Sequence, residues 1–105
     1  MLKINMEYRR GILFIRLRGN LSVNTVSKFE EYTIPIIKNY GIRYVVYNLN
    51  NIANLDDEGI SSINRSVNLI KKNRGKALIV SKKDSDTFNN LSISNELVAL
   101  ELLNT

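Results

Sequence analysis

The chain has 105 residues, fifteen lysines and arginines against ten acids for a net charge of +5, and neither cysteine nor histidine. That length is one domain's worth and enough for a core without disulfide or metal staples. The missing residue types exclude disulfides, thiolate chemistry and cysteine zinc sites, and remove the commonest general base and metal ligand.

The first strand is expected at Leu2 to Tyr8, where Leu2, Ile4, Met6 and Tyr8 alternate with Lys3, Asn5 and Glu7. This alternation also lacks the apolar middle of a signal peptide. No apolar run approaches the roughly 18 residues that span a bilayer, so the chain is expected to be cytoplasmic, without membrane insertion. Arg9-Arg10-Gly11 reads as a turn, and Ile12 to Arg18 as a second strand with Leu13, Ile15 and Leu17 on one face, Arg16 and Arg18 on the other. The two strands form an N-terminal hairpin.

Gly19 to Thr25 reads as a loop in which Ser22, Asn24 or Thr25 could cap the following helix. Val26, Phe29, Thr33, Ile36, Ile37 and Tyr40 recur at helical spacing up to Gly41, a natural stop. Pro35 predicts a kink, or a helix that ends early and restarts. Tyr44 to Tyr47 is apolar on both faces, as in a strand covered on both sides. Asn50 to Asp57 reads as a polar loop with Ile52, Ala53 and Leu55 tucked in. Ile60, Ile63, Val67 and Ile70 form the apolar stripe of a second helix, ended by Gly75, with Ser61, Ser62, Asn64 and Arg65 among its wet positions.

Ala77 to Val80 is a further buried strand. A short helix is expected from Lys83, capped by Asp84 or Ser85, with Phe88 and Leu91 as its apolar face. Leu97 to Leu103 fits an edge strand or a short helix. The order is that of a single α/β domain over residues 1–105: a hairpin, then β-α-β-α units, on a mixed sheet of four to five strands.

Asp56-Asp57-Glu58, followed by Gly59, is the concentrated polar feature. Acids in the first turn of a helix are stabilised by its dipole, and Asp57 could be the N-cap. Consecutive acids on a regular helix cannot converge on one ion, so no metal and no cofactor are expected. No nucleophile or substrate pocket suggests an enzyme. A protein-binding loop at the carboxyl end of a strand is the remaining functional reading. The basic residues are spread along the chain without a recognition motif, so solvated faces rather than a nucleic-acid partner are expected.

Two stretches carry a resemblance. Gly19-Asn20-Leu21-Ser22 with Thr25 is similar to a Gly-Glu-Leu-Asp stretch, and Tyr44-Val45-Val46-Tyr47-Asn48-Leu49, then Leu55-Asp56-Asp57-Glu58-Gly59-Ile60, is similar to a strand followed by Asp-Ser-Ser-Gly-Leu. Together, over about Ile12 to Ile93, they resemble the STAS domain of bacterial anti-sigma factor antagonists. The resemblance implies a non-catalytic partner-switching regulator. Its partner would be an anti-sigma factor that is also an ATPase-fold serine kinase, and it would thereby act on sigma-dependent transcription. It implies a contact surface of Asn20, Leu21, Ser22, Asp56, Asp57, Glu58, Gly59, Ile60, Ser61 and Ser62. In the family the second serine is phosphorylated; Asp57 and Glu58 stand at the two serine positions, and neither can be. A STAS subunit of a membrane transport complex, such as an ABC lipid transporter, is the alternative. Ser61 or Ser62 would be the displaced phosphosite, if one exists.

Overall fold

Alternating side chains place Leu2, Ile4 and Met6 on one side of the first strand, β1 (Leu2–Arg9), which returns as β2 (Ile12–Leu21). The computed structural model describes residues 1–81, 88 and 92–103. The turn joining β1 to β2 has two residues, Arg10 at φ 53° and Gly11 at φ 80°. Positive φ at both positions is the geometry that matches the twist of a tight hairpin, and glycine adopts it without steric cost.

The first helix, α1 (Val26–Asn39), buries Phe29, Thr33 and Ile37. It runs unbroken through Pro35, so neither an early end nor a restart occurs. Tyr40, expected on the apolar stripe, is instead 76% exposed at the C-cap, and Gly41 takes the left-handed conformation beyond it. Next comes β3 (Tyr44–Leu55), which is twelve residues long. The loop expected from Asn50 is therefore strand. Its extension pairs in parallel with the far end of β2, through irregularities between Arg16 and Arg18 and between Gly19 and Asn20. Such irregularities break the period-two pattern, which is why the sequence here reads as loop.

The second helix, α2 (Asp57–Lys72), buries Ile63, Val67 and Ile70 as its stripe predicts. Ser62 and Ser66 are buried with them, against the expectation that Ser62 is wet. The helix ends at Asn73, and Arg74, not Gly75, adopts positive φ. Gly75 serves a different need: a Cβ there would collide with the Arg43 carbonyl, to which Lys76 N–H donates at 2.8 Å. The chain closes with β4 (Lys76–Val80), β5 (Ser92–Ile93) and α3 (Glu96–Leu103). Leu97–Leu103 is thus helical. The helix expected from Lys83, with its caps Asp84 or Ser85 and with Leu91, lies outside the described residues; Phe88 is described and fully buried.

The five strands form one mixed sheet in the order β1-β2-β3-β4-β5, antiparallel at β1–β2 and parallel elsewhere. One face carries the main core, where Phe29 and Ile37 from α1 and Ile63 and Ile70 from α2 meet Ile15, Val45 and Tyr47. Each such side chain contributes roughly 1.5–3 kcal/mol on burial. The Tyr47 hydroxyl shares a 2.5 Å hydrogen bond with Ser66 Oγ, which also donates to Ile63 O. The other face is covered by α3: Ile12, Phe14, Val46 and Val80 pack with Ala99. Leu13, Ile15 and Leu17 share the face of β2 on the main core, as their spacing predicts, and Ile12 and Phe14 belong to the second core on the other face. Among the described residues no helix is long and apolar enough to cross a membrane.

Candidate partner-binding site

Register brings the two candidate stretches together. In the parallel pair β2–β3, Asn20 faces Asn54 and Leu21 faces Leu55. The residues that follow, Ser22 to Thr25 and Asp56 onward, therefore leave the sheet side by side at the carboxyl ends of two strands, where open α/β sheets place their contacts.

Asp56 fixes this corner. It is the N-cap of α2, with extended backbone. Its Oδ1 accepts from Gly59 N–H at 2.8 Å, and its Oδ2 accepts from Val23 N–H at 3.0 Å. One carboxylate thus satisfies an unpaired amide of the helix start and clasps the neighbouring β2–α1 turn. These bonds, Gly59 first and Val23 second, hold the Asp56 carboxyl below its ordinary value of 3.8. The expectation that Asp57 could be the cap is corrected by one residue: Asp57 and Glu58 occupy the first turn, both exposed.

Gly59 is buried beneath them. A Cβ there would run into the Leu21 carbonyl oxygen and lie 2.9 Å from Leu55 Cδ1. Glycine is therefore what lets α2 start directly against the end of β2. Asp56 N–H also approaches Leu21 O at 3.4 Å.

The β2–α1 turn is braced from within. Thr25 Oγ1 accepts from Ser22 N–H at 2.9 Å and donates to Asn20 O at 2.8 Å. Thr25 is at the N-cap position of α1, but its side chain makes no capping bond; the hydroxyl points back into the turn. Asn54 Nδ2 donates to Asn20 Oδ1 at 2.9 Å, a further tie between the strands.

The candidate residues consequently separate into two groups. Asp56, Asp57, Glu58 and Ser61 are exposed, and Asn20, Ser22 and Ile60 are half-buried, so these seven can offer side chains to a partner. Leu21, Gly59 and Ser62 are buried and hold the corner from inside. Ser62 is fully buried, and its Oγ has no hydrogen-bond partner among the described residues. One surface residue escaped the sequence reading. Val23 is 61% exposed while its N–H is bound to Asp56, so the clasp holds an apolar side chain out beside the acids. Its position inside a polar loop was the available signal.

Comparison with known proteins places this arrangement. The STAS domain model matches residues 3–98. The chain belongs to the STAS family. An anti-sigma F factor antagonist from Paenibacillus polymyxa is 28% identical over 78 residues, covering 74% of this chain and 67% of that protein. Among solved structures, the anti-sigma factor antagonist SpoIIAA in its unphosphorylated form superposes with a TM-score of 0.81 at 15% identity, covering 97% of this chain and 98% of the other. A putative anti-sigma factor antagonist from Thermotoga maritima superposes with a TM-score of 0.87 at 13% identity, covering 97% and 95%. The fold shared with these anti-sigma factor antagonists is the mixed five-stranded sheet with its helices.

Proposed function

We propose that this STAS domain acts without catalysis, in the cytoplasm, by binding an anti-sigma factor of the ATPase-fold serine-kinase kind, and so acts on sigma-dependent transcription. Its contact surface is the ridge of Asn20, Ser22 and Val23 with Asp56 to Ser61. The observation that carries this reading is the Asp56 clasp. It joins the two loops into one surface and leaves Asp57 and Glu58 exposed on it, the two residues that the resemblance sets at the family's serine positions.

In the phosphorylated relatives that the resemblance implies, a phosphate would add about −1.5 to −2 charge at this helix start. Here two carboxylates supply negative charge permanently, at a helix N-terminus that accommodates it. The surface therefore holds one electrostatic state, and a kinase has no hydroxyl at 57 or 58 to modify.

A pull-down from the native host with the wild-type chain and with Glu58→Ser tests this. The expected result is recovery of an ATPase-fold kinase or sigma regulator, with affinity changed by Glu58→Ser and phosphate incorporated only in that variant. Recovery of neither partner, with capture indifferent to Glu58→Ser, would overturn the proposal. Recovery of a transporter ATPase instead would assign the domain to a membrane transport complex.

A further inference from the structure

Basic residues that lie far apart in the sequence meet at the end of the molecule opposite the acidic ridge. The register aligns Ile12, Tyr44 and Lys76 across β2, β3 and β4. Arg9 and Arg10 in the hairpin turn, Arg43 before β3, and Arg74 and Lys76 at the start of β4 therefore share one edge, all exposed. Both main-core helices also run towards this edge, and their last turns carry Lys38 in α1 and Lys71 and Lys72 in α2. Among the described residues the acids at this end are Glu7, which already pairs with Arg16 at 2.9 Å and Arg9 at 3.9 Å, and the exposed Glu101 of α3. Among the described residues Arg10, Arg43, Arg74 and Lys76 form no salt bridge.

Apolar surface sits among these cations. Tyr8 and Tyr40 are 62% and 76% exposed and flank a shallow cavity of about 380 Å³ lined also by Leu13, Ile36 and Ile42. Tyr8 also borders a second cavity, of about 460 Å³, with Arg10, Arg43 and Tyr44 on its wall.

We propose that this end is a docking surface for a membrane bearing anionic lipid headgroups. Clusters of four to eight lysines and arginines are what such a surface attracts. Tyrosine favours the boundary between headgroup and acyl chain, with its ring in the apolar side and its hydroxyl in the wet side. The apolar lining between the tyrosines suits that boundary better than the positive groove with stacking rings that a single nucleic-acid strand requires. Charge also sets the orientation. Asp56, Asp57 and Glu58, at the far end, are repelled by the same surface, so the docked molecule holds its partner-binding ridge away from the bilayer. This proposal does not depend on what the ridge binds.

The full chain, sedimented with phosphatidylcholine vesicles containing roughly a third phosphatidylglycerol, tests it. The expected result is co-sedimentation with these vesicles, none with pure phosphatidylcholine, and release at high salt. Arg43→Gln/Lys72→Gln/Lys76→Gln should lower the partition about tenfold or more, while Lys3→Gln/Arg18→Gln, at the opposite end, should leave it unchanged. Thermal melts establish that both variants are folded, and Arg43→Gln alone replaces the triple variant if that one melts early. Failure to co-sediment at low salt, or equal loss in the two variants, would overturn the proposal. So would tighter binding of a single-stranded oligonucleotide than of the anionic vesicles, which would make the patch a nucleic-acid surface.

Discussion

At the scale of single residues, the corner around α2 depends on a few atoms placed without tolerance. Gly59→Ala would push a methyl group against the Leu21 carbonyl and Leu55. The helix start or the end of β2 must then move, at a cost of about 1–3 kcal/mol, read as a lowered midpoint in chemical denaturation. Ser62 presents the opposite case. Its hydroxyl is buried without a partner among the described residues, and an unsatisfied buried hydroxyl costs roughly 1–3 kcal/mol. Ser62→Ala should therefore be neutral or stabilising by up to about 1 kcal/mol, and a loss above that size in a denaturation curve would contradict the buried geometry. Neither property is visible in the sequence. Gly59 reads there as a residue after a helix start, and Ser62 as one polar position among several, because close approach to another segment has no periodic signature.

Among the elements, those with strong local patterns were legible. The hairpin, α1, the stripe of α2 and the buried part of β3 follow from spacing alone. The misreadings fall where tertiary pairing overrides local composition: the polar second half of β3 is strand because β2 runs beside it, and Pro35 stays within α1, whose buried face continues past it. The last helix shows the same dependence. Nothing in its apolar sequence dictates where it docks, but Glu96 does. Its carboxylate receives Arg16 Nε at 2.9 Å and Arg16 Nη2 at 2.8 Å, and Asn48 Nδ2 at 2.8 Å. This bidentate pair ties α3 to β2 and β3 above the second core. The Arg16 bond is also the main reason that the Glu96 carboxyl lies below its ordinary value of 4.5. Glu96→Gln should cost about 0.5–1 kcal/mol, the range of a partly exposed pair, and the amides of α3 should exchange faster in the variant than in the wild type. Equal exchange in the variant and the wild type would show that apolar packing alone holds the helix.

Across the whole molecule, two depressed carboxylates on different elements give stability a common acid limb. Asp56 and Glu96 each titrate lower folded than unfolded, so the unfolded chain binds more protons between the two values. The stabilisation is complete above the ordinary values and is lost as pH falls through the lowered ones. Tm should be level from neutral pH down to the ordinary carboxylate range and then decline, and Asp56→Asn/Glu96→Gln should flatten that decline. An unchanged acid limb in the double variant would assign it to other groups. What no sequence pattern could give at this scale is the gathering of charge: cations scattered from Arg9 to Lys76 become one pole only once parallel register aligns the strand starts. The opposite pole holds a separation of another kind. Asp56 and Gly59 keep the corner's shape, and the two side chains between them take no part in it. Positions 57 and 58 are therefore interchangeable parts: their exposed side chains can be replaced without disturbing the frame that displays them.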